Sequence, residues 1–349
     1  MKKKIFVVVI SLTVLVLSSC NSNPIDAPII PEMQPGRRDY VWGEDTLHFP
    51  QNERLGLGSI WGSSPFDIWA AGDGSLSQLG IWHFDGMSWQ YGTSTPTFNQ
   101  SSLWGTASNN IWMGNYDGYI WHYDGSSWQL FAKLEVARYK NFGIQRIWGR
   151  SANEIYAVGT AYNSYFNEEN IGGIFRYNGK EWGKIDMPAM KLNFLDLRIA
   201  NNGDMIIPAW EGAVTATKLV AWNGKEFKEM FSQSGTASFN VFNIDDKTFF
   251  NIGKIIYSYE GDGTYRVWKD FSGTDYYSKI LCSRNEKDFF VGSWALQGIN
   301  HYNGTDLKLI YSAPNTRVID GIVFEKDVFF ILLDTKTYNT RILHGHLQN

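Results

Sequence analysis

A phrase just over forty residues long recurs along this chain, and that recurrence limits the possible folds more than any single motif. Its first copy reads Ile60-Trp61-Gly62, Asp67-Ile68-Trp69, Ile81-Trp82-His83-Phe84-Asp85-Gly86 and Trp89. The second reads Trp104-Gly105, Asn110-Ile111-Trp112, Ile120-Trp121-His122-Tyr123-Asp124-Gly125 and Trp128. The third reads Ile147-Trp148-Gly149, Glu154-Ile155-Tyr156, Ile174-Phe175-Arg176-Tyr177-Asn178-Gly179 and Trp182. Trp61, Trp104 and Trp148 are 43 and 44 residues apart. Each copy strings together short runs of β-formers, and its Asp-Gly or Asn-Gly pairs supply tight turns. Hairpins of this size cannot bury their own apolar faces and need neighbours of the same kind.

The repeat decays downstream but keeps its period. The fourth unit holds Asp204-Met205-Ile206 and Leu219-Val220-Ala221-Trp222-Asn223-Gly224, and the fifth holds Thr248-Phe249-Phe250 and Ile256-Tyr257-Ser258-Tyr259. Asp288-Phe289-Phe290 with Ile299-Asn300-His301-Tyr302-Asn303-Gly304 marks the sixth, and Asp327-Val328-Phe329 with Ile342-Leu343-His344 the seventh. A period in the low forties with four strand-like runs per unit implies an all-β, seven-bladed β-propeller of four-stranded antiparallel blades. The Ile-Trp-Gly run is the expected innermost strand, where Gly62, Gly105 and Gly149 allow crowded backbones to approach. The aromatic content of 16 per cent fits the wedge-shaped gaps between twisted blades. The seventh unit lacks a fourth strand, which would leave a bare edge. Upstream of the first unit, Tyr40 to Phe49 has strand composition, and within it Thr46 to Phe49 is the candidate strand. It is expected to close the ring by pairing with Arg341 to His344.

The first nineteen residues lie outside this pattern. Lys2, Lys3 and Lys4 precede an apolar run from Ile5 to Leu17 that is too short to span a bilayer, as in a secretory leader. Leu17-Ser18-Ser19-Cys20 resembles a bacterial lipobox, and the resemblance implies a lipidated Cys20 (palmitate among the acyl chains) holding the mature chain on a lipid bilayer. Pro24, Pro28, Pro31 and Pro35 then mark an extended tether. The expected organisation is a leader over 1–19, a lipidated tether over 20–40 and the propeller over 41–349, with 41–55 as closing strand and lead-in. Asn21 and Ser22 carry no acidic signal after the cysteine. By resemblance, that implies an outer-membrane lipoprotein facing the periplasm.

Composition removes several function classes. Taking the three leader lysines from 31 basic side chains leaves 28 against 35 acidic ones, a formal charge of −7. No basic cluster offsets it, so nucleic acid is not an expected partner. Cys282 has no second cysteine in the mature domain beyond the lipidated one, so the fold must stand without disulfides, as an expected monomer. The spacing of cysteines and histidines matches no zinc site, and neither metal nor cofactor is expected. His83, His122, His301 and His344 recur at one place in their repeats, with Arg176 there in the third, which points to a structural role. His48 and His346 could approach each other at the closure.

Carboxylates are the other route to chemistry. Asp196, Asp245, Asp246 and Asp320 could face the channel, and Glu168, Glu169, Glu211 and Asp275 lie in expected loops. Their spacing singles out no acid–base pair. The loops between second and third strands, and between blades, share one face. They carry an aromatic excess: Tyr139, Phe142, Tyr162, Tyr165, Phe166, Trp210, Tyr276, Tyr277 and Trp294, with Glu211 beside Trp210. Two readings stand side by side: the rings fold over the blade edges and plug the channel, or, mixed with amides, they suit the apolar faces and hydroxyls of sugars, or a peptide.

The units resemble those of exported bacterial propellers, and Asn110 to Gly118 resembles a unit of the periplasmic sensor propellers of two-component regulators. The resemblance spans about 290 residues and implies architecture far more than activity. The expected function is a non-catalytic binding or scaffold propeller at the cell envelope, recognising a glycan, peptide or protein partner. The alternative is a carbohydrate-active enzyme, a hydrolase or lyase, with channel-facing carboxylates.

Overall fold

The computed structural model describes residues 33–45, 47, 53–74, 80–91, 99–164, 167–212, 214–235, 239–274, 278–293 and 298–349. Residues Gln34–Asn349 form one unit built entirely of antiparallel strands in seven sheets. No helix among the described residues is long and apolar enough to cross a membrane.

Blades one to three follow the repeat. Their strands are Leu55–Ser64, Asp67–Gly74, Ile81–Phe84 and Trp89–Tyr91; then Gln100–Ala107, Asn110–Asn115, Tyr119–Tyr123 and Trp128–Lys133; then Asn141–Ser151, Glu154–Tyr162, Ile171–Tyr177 and Trp182–Lys184. Each first strand lies innermost. The Asp-Gly and Asn-Gly turns share one geometry. In blade one, Asp85 Oδ1 accepts from the amides of Met87 and Ser88, both at 2.9 Å, while only Gly86 takes a left-handed φ of 91°. Asp124, Asn178, Asn223 and Asn303 repeat the arrangement.

Blades meet through rings set on glycines. A Cβ on Gly62 would lie 3.1 Å from Phe324 of blade seven, one on Gly105 2.9 Å from Trp61 of blade one, and one on Gly149 2.7 Å from Trp104 of blade two. Each ring therefore needs a neighbour without a side chain, which explains the recurring Trp-Gly pair.

Blade four departs from the pattern. Its first strand is split into Leu192–Phe194 and Arg198–Ile199, both pairing with Met205–Glu211. Pro208 lies opposite the break: its carbonyl accepts from Leu195 N at 3.0 Å, so its ring nitrogen faces the same strand with no hydrogen to donate. The ladder lapses there, and Asp196 turns aside. Ala216–Trp222 and Phe227–Ser234 complete the blade.

The ring closes as expected, through a different segment. The outermost strand of blade seven is Tyr40–Asp45, with Tyr40 opposite Leu347 and Asp45 opposite Ile342. This strand lies upstream of the expected Thr46 to Phe49, and its partner is Ile342–Leu347 rather than Arg341 to His344. Thr46, His48 and Phe49 lie outside the described residues. The physical reason is apolar bulk: Tyr40 is buried against Phe290, and Trp42 packs on Phe330 and Tyr311.

The segment before the closing strand is not a free tether. Gly36 N donates to Lys287 O at 3.3 Å. Arg38 donates to Asp306 Oδ1 at 2.6 Å and to the His301 carbonyl at 2.8 Å. Its side chain is half-sunk against blade six.

Candidate functional site

The recurring histidines brace the blades. In blade one, His83 Nε2 lies 2.8 Å from Asp67 Oδ1 and its ring stacks on Trp69 at 4.1 Å. His122 repeats this with Asn110 and Trp112, His301 with Asp288 and Phe290, and His344 with Asp327 and Phe329. Each clip ties the third strand to the start of the second. His301 is wholly buried, and burial lowers its pKa despite the Asp288 carboxylate beside it. His346 joins His344 on Asp327 Oδ1, at 2.8 Å, while His48 lies outside the described residues.

The carboxylates proposed for the channel fall in different surroundings. Asp245 and Asp246 sit in the exposed turn between Phe239–Ile244 and Lys247–Ile252 and face no channel, because the two-residue hairpin of blade five needs them at its tip. Glu168 and Glu169 lie on an exposed loop, and Asp275 is outside the described residues. Asp196 is buried, and its oxygens are occupied. Oδ1 accepts from Leu197 N and Arg198 Nη1, both at 2.7 Å, and Oδ2 faces Arg146 Nε at 3.5 Å. Burial works to raise its pKa, but Arg198 and Arg146 outweigh burial and hold it below the ordinary carboxylate value. A carboxylate kept ionised between two guanidiniums is a poor general acid. Asp320 accepts from Ile60 N at 3.2 Å, joining blades seven and one. No group of three or more His, Cys, Asp or Glu side chains among the described residues is placed to hold a metal ion.

A cleft of about 390 Å³ opens on the face anticipated from the loops, spanning blades two, three and four beside the channel. Small-ligand sites run from about 300 to 1,000 Å³. Three rings line it, those of Tyr116, Tyr162 and Trp210. Between them stand the amides of Asn99, Gln145, Asn170 and Asn193, and the Thr160 hydroxyl. Gly143 and Leu195 form the bare and apolar parts of the floor. Tyr162 lies across Gly143, where a Cβ would come within 3.2 Å of the ring, and its hydroxyl donates to Tyr116 O at 3.2 Å. Asn193 faces Trp210 across the ladder and donates to the Gly212 carbonyl at 3.0 Å, fixing the rim.

Of the expected binding residues, Tyr162 and Trp210 meet in this cleft. Phe142 does not: it is buried in the core between blades two and three, against Phe175. Its place on an inner strand, facing the blade interface rather than the loop, is the reason. Tyr139 braces a loop instead, donating to Glu169 O at 3.0 Å, and Glu211 pairs with Lys218 at 3.3 Å. Tyr165, Phe166, Tyr276, Tyr277 and Trp294 lie outside the described residues. The amides were missed because isolated Asn and Gln give no periodic signal.

No family model and no curated protein matches the chain. Solved structures do. YCF48 bound to D1 peptide matches with a TM-score of 0.59 at 12% identity, over 91% of this chain and 100% of that one. The extracellular domain of a hybrid two component system from B. thetaiotaomicron matches with a TM-score of 0.58 at 11% identity, over 85% of this chain and 41% of that one. An oligogalacturonate lyase in complex with manganese matches with a TM-score of 0.59 at 8% identity, over 91% and 99%. At such identities the likeness shows the fold alone: this chain is a seven-bladed β-propeller, similar in architecture to proteins of differing activity.

Proposed function

We propose that this chain is a non-catalytic binding propeller, held at the cell envelope by a lipid on Cys20, which takes its ligand in the cleft formed by blades two to four. The observation that carries the reading is the composition of the cleft: three rings and a set of amides, with the nearby charges committed to one another. Arg146 and Arg198 hold Asp196, Lys218 holds Glu211, and Lys191 holds Glu169. Such a lining orients a ligand without offering a free acid, base or nucleophile. The similar propellers include one bound to a peptide and one in an extracellular domain, which is compatible with a ligand met outside the cytoplasm.

Two experiments test the reading. Neutral and uronate oligosaccharides incubated with the purified chain are expected to be recovered intact by mass spectrometry. Turnover abolished by Asp196→Asn would establish the enzyme alternative. In cell fractionation, Cys20→Ser should move the protein from the outer-membrane fraction to the soluble periplasm; an unchanged membrane pool removes the lipid anchor. Protease treatment of intact cells should leave the propeller uncut if it faces the periplasm.

A further inference from the structure

We infer that the cleft is a carbohydrate site and that its ligand is an uncharged saccharide, an inference that rests on the cleft being where this propeller binds. The lining residues among those described are all neutral at physiological pH. A uronate or a charged peptide would be buried there without a counter-charge, a heavy penalty. Arg146, next in sequence to the lining Gln145, already faces Asp196. Amides and hydroxyls both donate and accept, which matches sugar hydroxyls that do the same in fixed pairs around a ring. The Tyr116, Tyr162 and Trp210 rings suit the C–H faces that a pyranose presents between its hydroxyls.

Thr160 supplies a second, independent observation. Its side chain is 6% exposed, and Oγ1 has no hydrogen-bond partner among the described residues. Its Cα partners on the flanking strands are Gly143 and Gly172, where the Tyr162 and Phe194 rings take the space a side chain would fill. A buried hydroxyl left unpaired is costly, and among the described lining residues only Thr160 carries one. The atom is closed to solvent as it stands, so it would meet a ligand hydroxyl by turning toward the cleft that Thr160 lines.

The test measures binding of the full chain to arrayed gluco-, xylo- and manno-oligosaccharides, to uronate oligosaccharides, and to a library of uncharged peptides. Wild type, Trp210→Ala and Thr160→Val are compared, with melting temperature recorded for each. Neutral saccharides should bind and uronates should not. Trp210→Ala should weaken binding by about twentyfold or more. Thr160→Val should weaken it by about fivefold while leaving the melting temperature equal or higher, because a methyl replaces an unpaired hydroxyl. Peptide binding lost in Trp210→Ala would overturn the carbohydrate inference and leave the cleft as the binding site. Uronate binding lost in the same variant would overturn the uncharged ligand. Binding that both variants retain, or no binding to any of the three sets, would overturn the cleft itself. Saccharide binding unchanged in Thr160→Val would remove the role given to that hydroxyl.

Discussion

A methyl group at Gly105 would lie 2.9 Å from both the Asn110 carbonyl and the Trp61 ring. One contact is fixed backbone and the other a ring wedged between blades, so neither can yield cheaply. Gly105→Ala should cost about 1–3 kcal/mol, read as a lower urea midpoint with an unchanged slope. Equal midpoints for variant and wild type would show that the ring has room to move. The His301–Asp288 pair gives a dependence on pH. Burial lowers the His301 pKa below its unfolded value of about 6.5, so the unfolded chain binds the proton first. Stability contributed by neutral His301 is complete above that value and is lost as pH falls through the window beneath it. Burial also acts to raise the Asp288 pKa, but His301 and Arg284 hold it below 3.8, so its own loss begins only at lower pH. The melting temperature should therefore fall as pH drops below about 6.5, and fall less steeply in His301→Gln. Parallel pH curves for the two proteins would assign the acid sensitivity to another group.

The closing strand decides stability at the scale of an element. Tyr40–Asp45 lies almost three hundred residues from its partner Ile342–Leu347, and its ladder must outweigh the entropy of closing that loop. It does so with burial of Tyr40 and Trp42 and with the Glu44 contacts to Arg341 and Tyr311. Removing residues 1–32 should leave the melting temperature of the propeller unchanged. Extending the deletion through Asp39 should lower it by a few degrees, because Gly36 and Arg38 bind blade six. Extending it through Asp45 should expose the third strand of blade seven and promote aggregation. Identical melting of all three truncations would refute this account of closure. That a strand upstream of the repeats closes the ring was legible from the missing fourth strand of blade seven. Which segment was not, since Leu47-His48-Phe49 alternates as a half-covered strand does while Tyr40-Val41-Trp42 is apolar throughout. The choice rests on the rings of Phe290, Tyr311 and Phe330, which belong to blades six and seven.

At the scale of the whole molecule, seven sheets hold together through packing between neighbours and one long-range closure, and the described residues hold no disulfide. Cys282 is a free thiol, and burial raises its pKa well above the ordinary value. A reductant should leave the melting temperature unchanged; a shift with reductant would reveal a disulfide between chains. The sequence by itself determined the period, the blade count and the Asp-Gly turns, because each is a local pattern copied from unit to unit. Only the tertiary structure decided that Phe142 is core while Tyr162 and Trp210 meet. It also decided that Pro208 breaks a ladder so that Asp196 falls between two arginines, and that Thr160 stands unpaired among glycines. These depend on which residues of different blades come to the same depth around a closed ring. A local repeat fixes the blade but carries no term for what its neighbour, forty residues away, sets against it.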